Sequence, residues 1–135
     1  MIGKVIIDAS NARLGRLASH ASKQALLGNE VVIVNCNAAV ITGNKRTTIE
    51  DYKVSRQRGG SSLNGPHFPQ SSERLVKRTI RGMLSYKQGR GLSAFKRIKC
   101  YSGMPSEYEG KAKPFAAQKP TLSKTIGLGE LSKEI

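Results

Sequence analysis

The sequence predicts an α/β protein built on a parallel sheet, and three observations carry that expectation. Two β-rich runs, Lys4–Asp8 and Glu30–Asn35, flank a stretch where Leu14, Leu17, Ala18, Ala21 and Ala25 recur at helical spacing. The second run, Glu-Val-Val-Ile-Val-Asn, is too uniformly apolar for a sheet with one wet face. Strand, helix and strand in that order form a βαβ unit, with parallel strands and a right-handed crossover. A chain of 135 residues suits one domain, burying roughly two-thirds of its unfolded surface.

Taken in order, the first strand runs into a turn at Ala9–Ala12, where Ser10 or Asn11 is available as a helix cap. The helix that follows ends at Gly28, a residue type favoured just past a helix C-terminus. After the second strand, Asn37–Gly43 reads as a brief helical turn and a short third strand. A helix from Arg46 to about Gln57 turns Ile49, Tyr52 and the stem of Lys53 inward. Residues 58–72, RGGSSLNGPHFPQSS, form a loop by their Gly, Ser and Pro content, and a loop of that length is usually functional or disordered.

The next helix is the most informative stretch. Ser72 is placed to cap it, and Glu73 sits in the favourable first turn. At about 100° per residue Val76, Ile80, Met83 and Leu84 share one side, while Arg74, Lys77, Arg78 and Arg81 share the other. Lys87-Gln88-Gly89-Arg90-Gly91 follows as a turn whose two glycines let backbone and arginine come close to a polyanion. A short helix near Leu92–Arg97 overlaps a second basic cluster, Lys96-Arg97-Ile98-Lys99, and a last strand covers Ile98–Tyr101. Residues 1–105 are therefore read as one domain. Residues 106–135 read as an extension, polar and broken by Pro114 and Pro120. Ile126, Leu128, Leu131 and Ile135 mark a small terminal helical element suited to docking on a neighbour. No internal repeat is present.

Charge is distributed unevenly. The chain carries a formal +14, yet residues 1–44 are only +2 and residues 100–135 only +1. Residues 45–99 hold fourteen Lys and Arg against three acids, a net of +11. Such an imbalance opposes folding by self-repulsion unless a polyanion relieves it. An anionic membrane fits the sign, but no apolar run approaches the ~20 residues of a span. Met1-Ile2-Gly3-Lys4 has neither a signal-peptide pattern nor a glycine beside the first Met for myristoylation, so a cytoplasmic location is expected. Nucleic acid is the partner class that remains.

Catalysis is hard to assemble from these residues. The turn after the first strand, Asp8-Ala9-Ser10-Asn11-Ala12-Arg13, lacks the glycines a dinucleotide pyrophosphate needs. Gly89-Arg90-Gly91-Leu92-Ser93-Ala94 matches GxGxxA by spacing but follows a helix. Around Thr42-Gly43-Asn44-Lys45 there is no P-loop, since Ala38 stands where the first glycine belongs. Asp8 occupies a position where α/β enzymes place acids, although a cap or a partner for Arg13 or Arg16 explains it as simply. Glu50-Asp51 reads as solvated. For His67, between Gly65-Pro66 and Phe68-Pro69, loop packing and RNA contact both stand, and no nucleophile neighbours it in sequence. Cys36 and Cys100 read as two buried thiols, a disulfide being disfavoured in a reducing compartment. Without a CxxC pair, and with only His20 and His67, no closed zinc site is expected, nor any other cofactor.

At this point the residues resemble the universal large-subunit ribosomal protein 13 family, in its archaeal and eukaryotic branch. The resemblance lies in Asp8-Ala9 with Leu14-Gly15-Arg16-Leu17-Ala18, in Val34-Asn35-Cys36-Asn37-Ala38, and in Ile41-Thr42-Gly43-Asn44-Lys45. It is most specific in Arg81-Gly82-Met83-Leu84 with Lys87, Arg90-Gly91, Ala94, Lys96-Arg97 and Tyr101-Ser102-Gly103-Met104-Pro105. These stretches span residues 8 to 105 in the family's order. Ser85 departs from the pattern, standing where many relatives have Pro, and the match after Pro105 is loose. The short N-terminus, with no long basic C-terminal extension, looks archaeal. The resemblance implies a three-layer α/β/α domain around a four-stranded, mostly parallel sheet. It also implies a structural role on large-subunit rRNA beside neighbouring ribosomal proteins, with no enzyme activity. No membrane, small-molecule substrate or homo-oligomer enters that reading. Carried over residue by residue, the matched basic positions are Lys45, Arg81, Lys87, Arg90, Lys96 and Arg97.

Charge and helical phase add Arg46, Arg56, Arg58, His67, Arg74, Lys77, Arg78 and Lys99 to the expected RNA-binding set. Two other classes stand beside this one. A nucleotide-dependent or RNA-modifying enzyme needs a pocket near Asp8 and Asn35, and a free-standing RNA chaperone would not sediment with ribosomes. With no Trp, four Tyr and three Phe spread along the chain, no aromatic platform is visible, so recognition should run through phosphate, sugar and shape. Neutralising about eight phosphates gives log affinity a slope near −7 per decade of salt. A titration against structured large-subunit rRNA from 50 to 300 mM KCl checks this, and a nearly flat line would count against it.

Overall fold

A computed structural model describes residues 3–57, 70–115 and 125–134. Its elements run β1 (Lys4–Asp8), α1 (Leu14–Leu26), β2 (Glu30–Val34), β3 (Val40–Thr42), α2 (Lys45–Gln57), α3 (Ser72–Met83), α4 (Gly89–Lys96), β4 (Ile98–Cys100), β5 (Lys113–Pro114), β6 (Thr125–Gly127) and α5 (Leu128–Glu134). The expected βαβ unit is present: β1 and β2 pair in parallel from Lys4 opposite Glu30 to Asp8 opposite Val34. β4 joins β2 and β5 joins β1, also in parallel, so the sheet runs β4-β2-β1-β5. The chain is α/β with a four-stranded parallel sheet.

The membership of that sheet differs in detail from the sequence reading. The short third strand, β3, lies outside it and pairs antiparallel with β6, Ile41 opposite Ile126. Its place in the main sheet's count is taken by β5, two residues inside the segment read as an extension. The terminal element also packs on its own chain rather than waiting for a neighbour. Ile126, Leu128 and Leu131 are all but fully buried in the main core, and the Leu128 N–H donates to Ala39 O at 2.9 Å. Ile135 lies outside the described residues.

Alternation along β2 divides the two faces of the sheet. Val31 and Ile33 pack into the large core with residues of α1, α3, α4 and α5, whereas Val32 and Val34 face a smaller cluster with Tyr108, Ile6, Tyr101 and Met104. The second layer is thus thin, resting on a 3-10 turn at Ser106–Tyr108. α1 fits closely because Ala18, Ala21 and Ala25 bring its backbone near its neighbours, with Leu17 as the large side chain among them. Its N-cap is Arg13 and makes no side-chain cap bond; Ser10 is turned to Asp8 instead. Gly28, at φ +99°, ends the helix as its position suggested.

α2 begins where Asn44 Oδ1 accepts the Arg46 N–H at 3.0 Å. Ile49 and Tyr52 pack on the core, but Lys53 is exposed. α3 starts one residue earlier than expected: Ser71 holds the N-cap position, and Ser72 is buried with its hydroxyl donating to Asn37 Oδ1. The buried face of α3 is Ser72, Leu75, Val76 and Ile80, with Leu84 buried just beyond, while Met83 is 44% exposed. The stripe is rotated relative to the sequence reading because α3 packs chiefly on α1 and β4, which brings Leu75 into the main core. Cys36 is buried and Cys100 only half-buried, both as free thiols. The neighbouring Cys100 thiol, followed by burial, pushes the Cys36 thiol well up.

The Gly89-Arg90-Gly91 stretch is the first turn of α4, not a separate turn. Gly91 is buried because the chain doubles back on itself there: a Cβ at this position would overlap the Ser85 carbonyl. Gly89 faces open space. Gly91→Ala should therefore lower stability by ~1–3 kcal/mol, as overpacking against backbone does, and Gly89→Ala should change it by less than ~1 kcal/mol. Urea midpoints of the two variants check this.

Candidate nucleic-acid interface

The interface is built outward from α3. Its buried residues lie on one side, and by helical phase Arg74, Arg78 and Arg81, at i, i+4 and i+7, lie opposite and are exposed. The band expected to contain four cations holds these three. Lys77 is half-buried, its ammonium donating to Ile98 O and lying 4.7 Å from the centre of the Phe95 ring. Burial depresses the pKa of this amine.

The reason lies in the strand pairing. Val31 N–H takes Arg97 O, and Tyr101 N–H takes Ile33 O, so odd-numbered residues of this segment turn their backbone groups to β2. Ile98 O consequently points to the open side of β4, the edge strand, and Lys77 satisfies it. A long amphipathic side chain buries its stem and finds a local acceptor, which a helical wheel does not reveal.

Other predicted positions divide in the same way. Arg97 is half-buried and its Nη1 donates to Ala25 O at 2.9 Å, closing the C-terminal end of α1 where helix carbonyls lack partners. Lys45 forms an ion pair with Glu130 of α5, the first cause of its raised pKa, and Arg46 pairs with Glu50 at 3.3 Å. Lys87, Arg90, Lys96 and Lys99 are exposed. Lys99 and Arg74 line a shallow cleft of about 310 Å³ beside β4 with Glu73, Lys77, Cys100 and Tyr101. Arg56 lies in the last turn of α2, and Arg58 and His67 fall outside the described residues. Among the described residues the ion pairs are Lys45–Glu130 and Arg46–Glu50, so no acid neutralises Arg74, Arg81, Lys87, Arg90, Lys96 or Lys99.

The sequence reading missed Glu130 as a partner and missed Tyr86, whose ring lies 5.1 Å from the Arg81 guanidinium carbon. The signal for Tyr86 was available, since it stands beside Lys87 between Arg81 and Arg90.

The positions that an enzyme would use are occupied by one another. Asp8 Oδ1 accepts Ser10 N–H at 3.0 Å, Ser10 Oγ–H at 2.7 Å and Asn35 Nδ2 at 3.2 Å. Burial raises its pKa, but the bonds from Ser10 and Asn35 outweigh it, and the carboxyl sits below its ordinary value. An ionised carboxylate held by three donors joins β1 to the end of β2, where Asn35 takes a left-handed conformation at φ +58°. Among the described residues no group of three His, Cys, Asp or Glu can hold a metal, and no helix is long and apolar enough to cross a membrane.

A parallel α/β scaffold that exposes Arg74, Arg78 and Arg81 along one helix defines a class: a basic α/β protein without the constellation of an enzyme site among its described residues. The particular family follows from comparison. The profile described as ribosomal protein L13 matches residues 3–107. A large ribosomal subunit protein uL13 from Methanosarcina barkeri is 44% identical over 135 residues, covering 96% of each chain. The uL13 of Methanocaldococcus jannaschii is 43% identical over 133 residues, and that of Archaeoglobus fulgidus 46% over 106 residues, 78% of this chain and 67% of its own. This chain belongs to the ribosomal protein L13 family, whose members are structural ribosomal proteins and not enzymes.

The two kinds of cation should separate on a polyanion. Arg74→Gln and Arg81→Gln should each lower the salt concentration at which the chain leaves heparin. Lys77→Met, which keeps the stem against Phe95, should leave it unchanged. Equal shifts for all three would show that Lys77 also faces the polyanion.

Proposed function

We propose that this protein is a structural constituent of the large ribosomal subunit that binds and stabilises folded large-subunit rRNA. The observation that carries the reading is the outer face of α3, where Arg74, Arg78 and Arg81 are exposed on a helix whose opposite side is locked into the core. Lys87 and Arg90 continue this cationic stretch into α4, and Lys96 and Lys99 follow it toward the sheet edge. Lys45, Arg46, Arg56, Arg58 and His67 contribute from the preceding segment, the first two by exchanging an internal carboxylate for a phosphate. Lys77 and Arg97 act at one remove, by fixing α3, β4 and α1 relative to one another.

The names of the archaeal relatives place those proteins in the large subunit, and identity over nearly the whole of both chains supports the same assignment here. Neighbouring large-subunit proteins complete its surroundings, on cytoplasmic ribosomes. Binding is through phosphate, sugar and helix shape, because cations dominate the face and such contacts fix position without reading sequence. No chemistry is performed; the protein supplies counter-charge in a fixed arrangement, so that RNA segments which repel one another are held together.

The double charge reversal Arg78→Glu with Arg81→Glu should abolish incorporation into the large subunit while far-UV circular dichroism and thermal melting of the isolated chain stay near wild type. Normal incorporation of the folded variant, measured by sedimentation, would overturn the assignment of the α3 face.

A further inference from the structure

Tyr86 stands apart from the other aromatic residues. Among the described Tyr and Phe side chains it alone is exposed, at 37%, whereas Tyr108 is buried and Tyr52, Phe95, Tyr101 and Phe115 are half-buried. Its position is tightly held. Tyr86 N–H donates to Leu84 O at 2.9 Å, Gln88 N–H donates to Ser85 O at 3.0 Å, and Gly91 presses on the Ser85 backbone from the other side. Leu84 anchors the start of this turn in the core. The ring is therefore presented to solvent on a rigid corner between α3 and α4.

The surroundings specify what would cover it. Arg81 lies over the ring, Lys87 is the next residue, and Arg90 follows in the first turn of α4. No acid occurs between Glu73 and Glu107. Met83 and Leu92, on either side in sequence, are 44% and 41% exposed, so the corner is apolar as well as cationic. An occupant must offer a flat apolar face and negative charge together. A nucleotide does so with its base and its phosphates, and base-on-aromatic stacking needs no particular base.

We propose that Tyr86 is a stacking site for one unpaired nucleotide of the bound RNA, with the base on the phenol ring and the adjoining phosphates on Arg81, Lys87 and Arg90. The inference rests on the rRNA-binding reading and adds to it a base contact that the cationic face alone does not supply.

The test uses the full chain and a large-subunit rRNA transcript from the same source, titrated across KCl concentrations. Tyr86→Leu should weaken binding about 5- to 150-fold at every salt concentration, the range that loss of one stacked base gives, without altering the salt slope. Tyr86→Phe should restore it. Tyr86→Lys, which adds charge but removes the flat ring, should remain weak with a steeper slope. Chemical probing should show a nucleotide protected by the wild-type and Phe chains that becomes reactive with Leu. Wild-type affinity for Leu or Lys, or failure of Phe to restore binding, would overturn the proposal. So would a Leu variant that binds the transcript normally yet fails to enter the subunit, since a protein would then cover the ring. Loss of rRNA affinity by the wild-type chain itself would instead remove the underlying functional reading, which separates the two failures.

Discussion

The two-sidedness of α3 is the constraint on which the rest of the structure depends. A cationic row repels itself. What holds the row in place is the opposite side, where Leu75, Val76 and Ile80 are nearly or fully buried against α1, β4 and their neighbours. Burying side chains of this size contributes ~1.5–3 kcal/mol each. Two exposed charges some 6 Å apart in water repel by roughly 0.7 kcal/mol, and salt reduces that further. The apolar anchor therefore wins by a wide margin, and the arginines stay where the helix puts them.

The cations of residues 45–99 are not one population. Lys77 and Arg97 bond backbone oxygens, Ile98 O at the sheet edge and Ala25 O at the end of α1. One acceptor lies on the open edge of the sheet and the other at the end of a helix, and in both a long side chain from another element reaches across. Lys45 and Arg46 are held by carboxylates. Part of the positive charge thus braces the chain internally, Lys77 and Arg97 between α1, α3 and β4 and Lys45 between α2 and α5, and the rest lies on the surface. A net of +11 read from the sequence overstates the footprint for that reason.

Much of the fold was legible because its signals are local. The βαβ unit announces itself by two apolar runs around a helical period, and Gly28 ends α1 as a left-handed residue in a helix-ending position should. The parts that were not legible depend on packing between distant segments. Two residues at Lys113–Pro114 carry no strand periodicity, and only their position beside Ile7 and Asp8 makes them a strand. Leu75 is buried in the main core, and Gly91 is held to glycine by the Ser85 backbone lying against it. For the site, helical phase placed Arg74, Arg78 and Arg81 together. It misplaced Lys77, since phase describes where a side chain leaves the helix and not where four methylenes take its charge.

On the proposed rRNA-binding reading, rigidity is what would connect this bracing to RNA. α3 is tied near its start by Ser72 to Asn37, in its middle by Lys77 to Ile98, and just past its end by the burial of Leu84. With a rise of about 1.5 Å per residue, Arg74 to Arg81 spans only ~10 Å of helix axis. That is close to the Debye length at physiological salt, so the row acts on a phosphate backbone as one cluster rather than as separate points. A cluster fixed in this way has little conformational freedom to lose on binding. A mobile basic tail of equal charge would attract RNA as strongly at long range, yet would adapt to whatever RNA it met. Holding the charges in a fixed pattern instead favours RNA whose phosphates are already arranged to match, which makes the sheet and its apolar core part of the recognition.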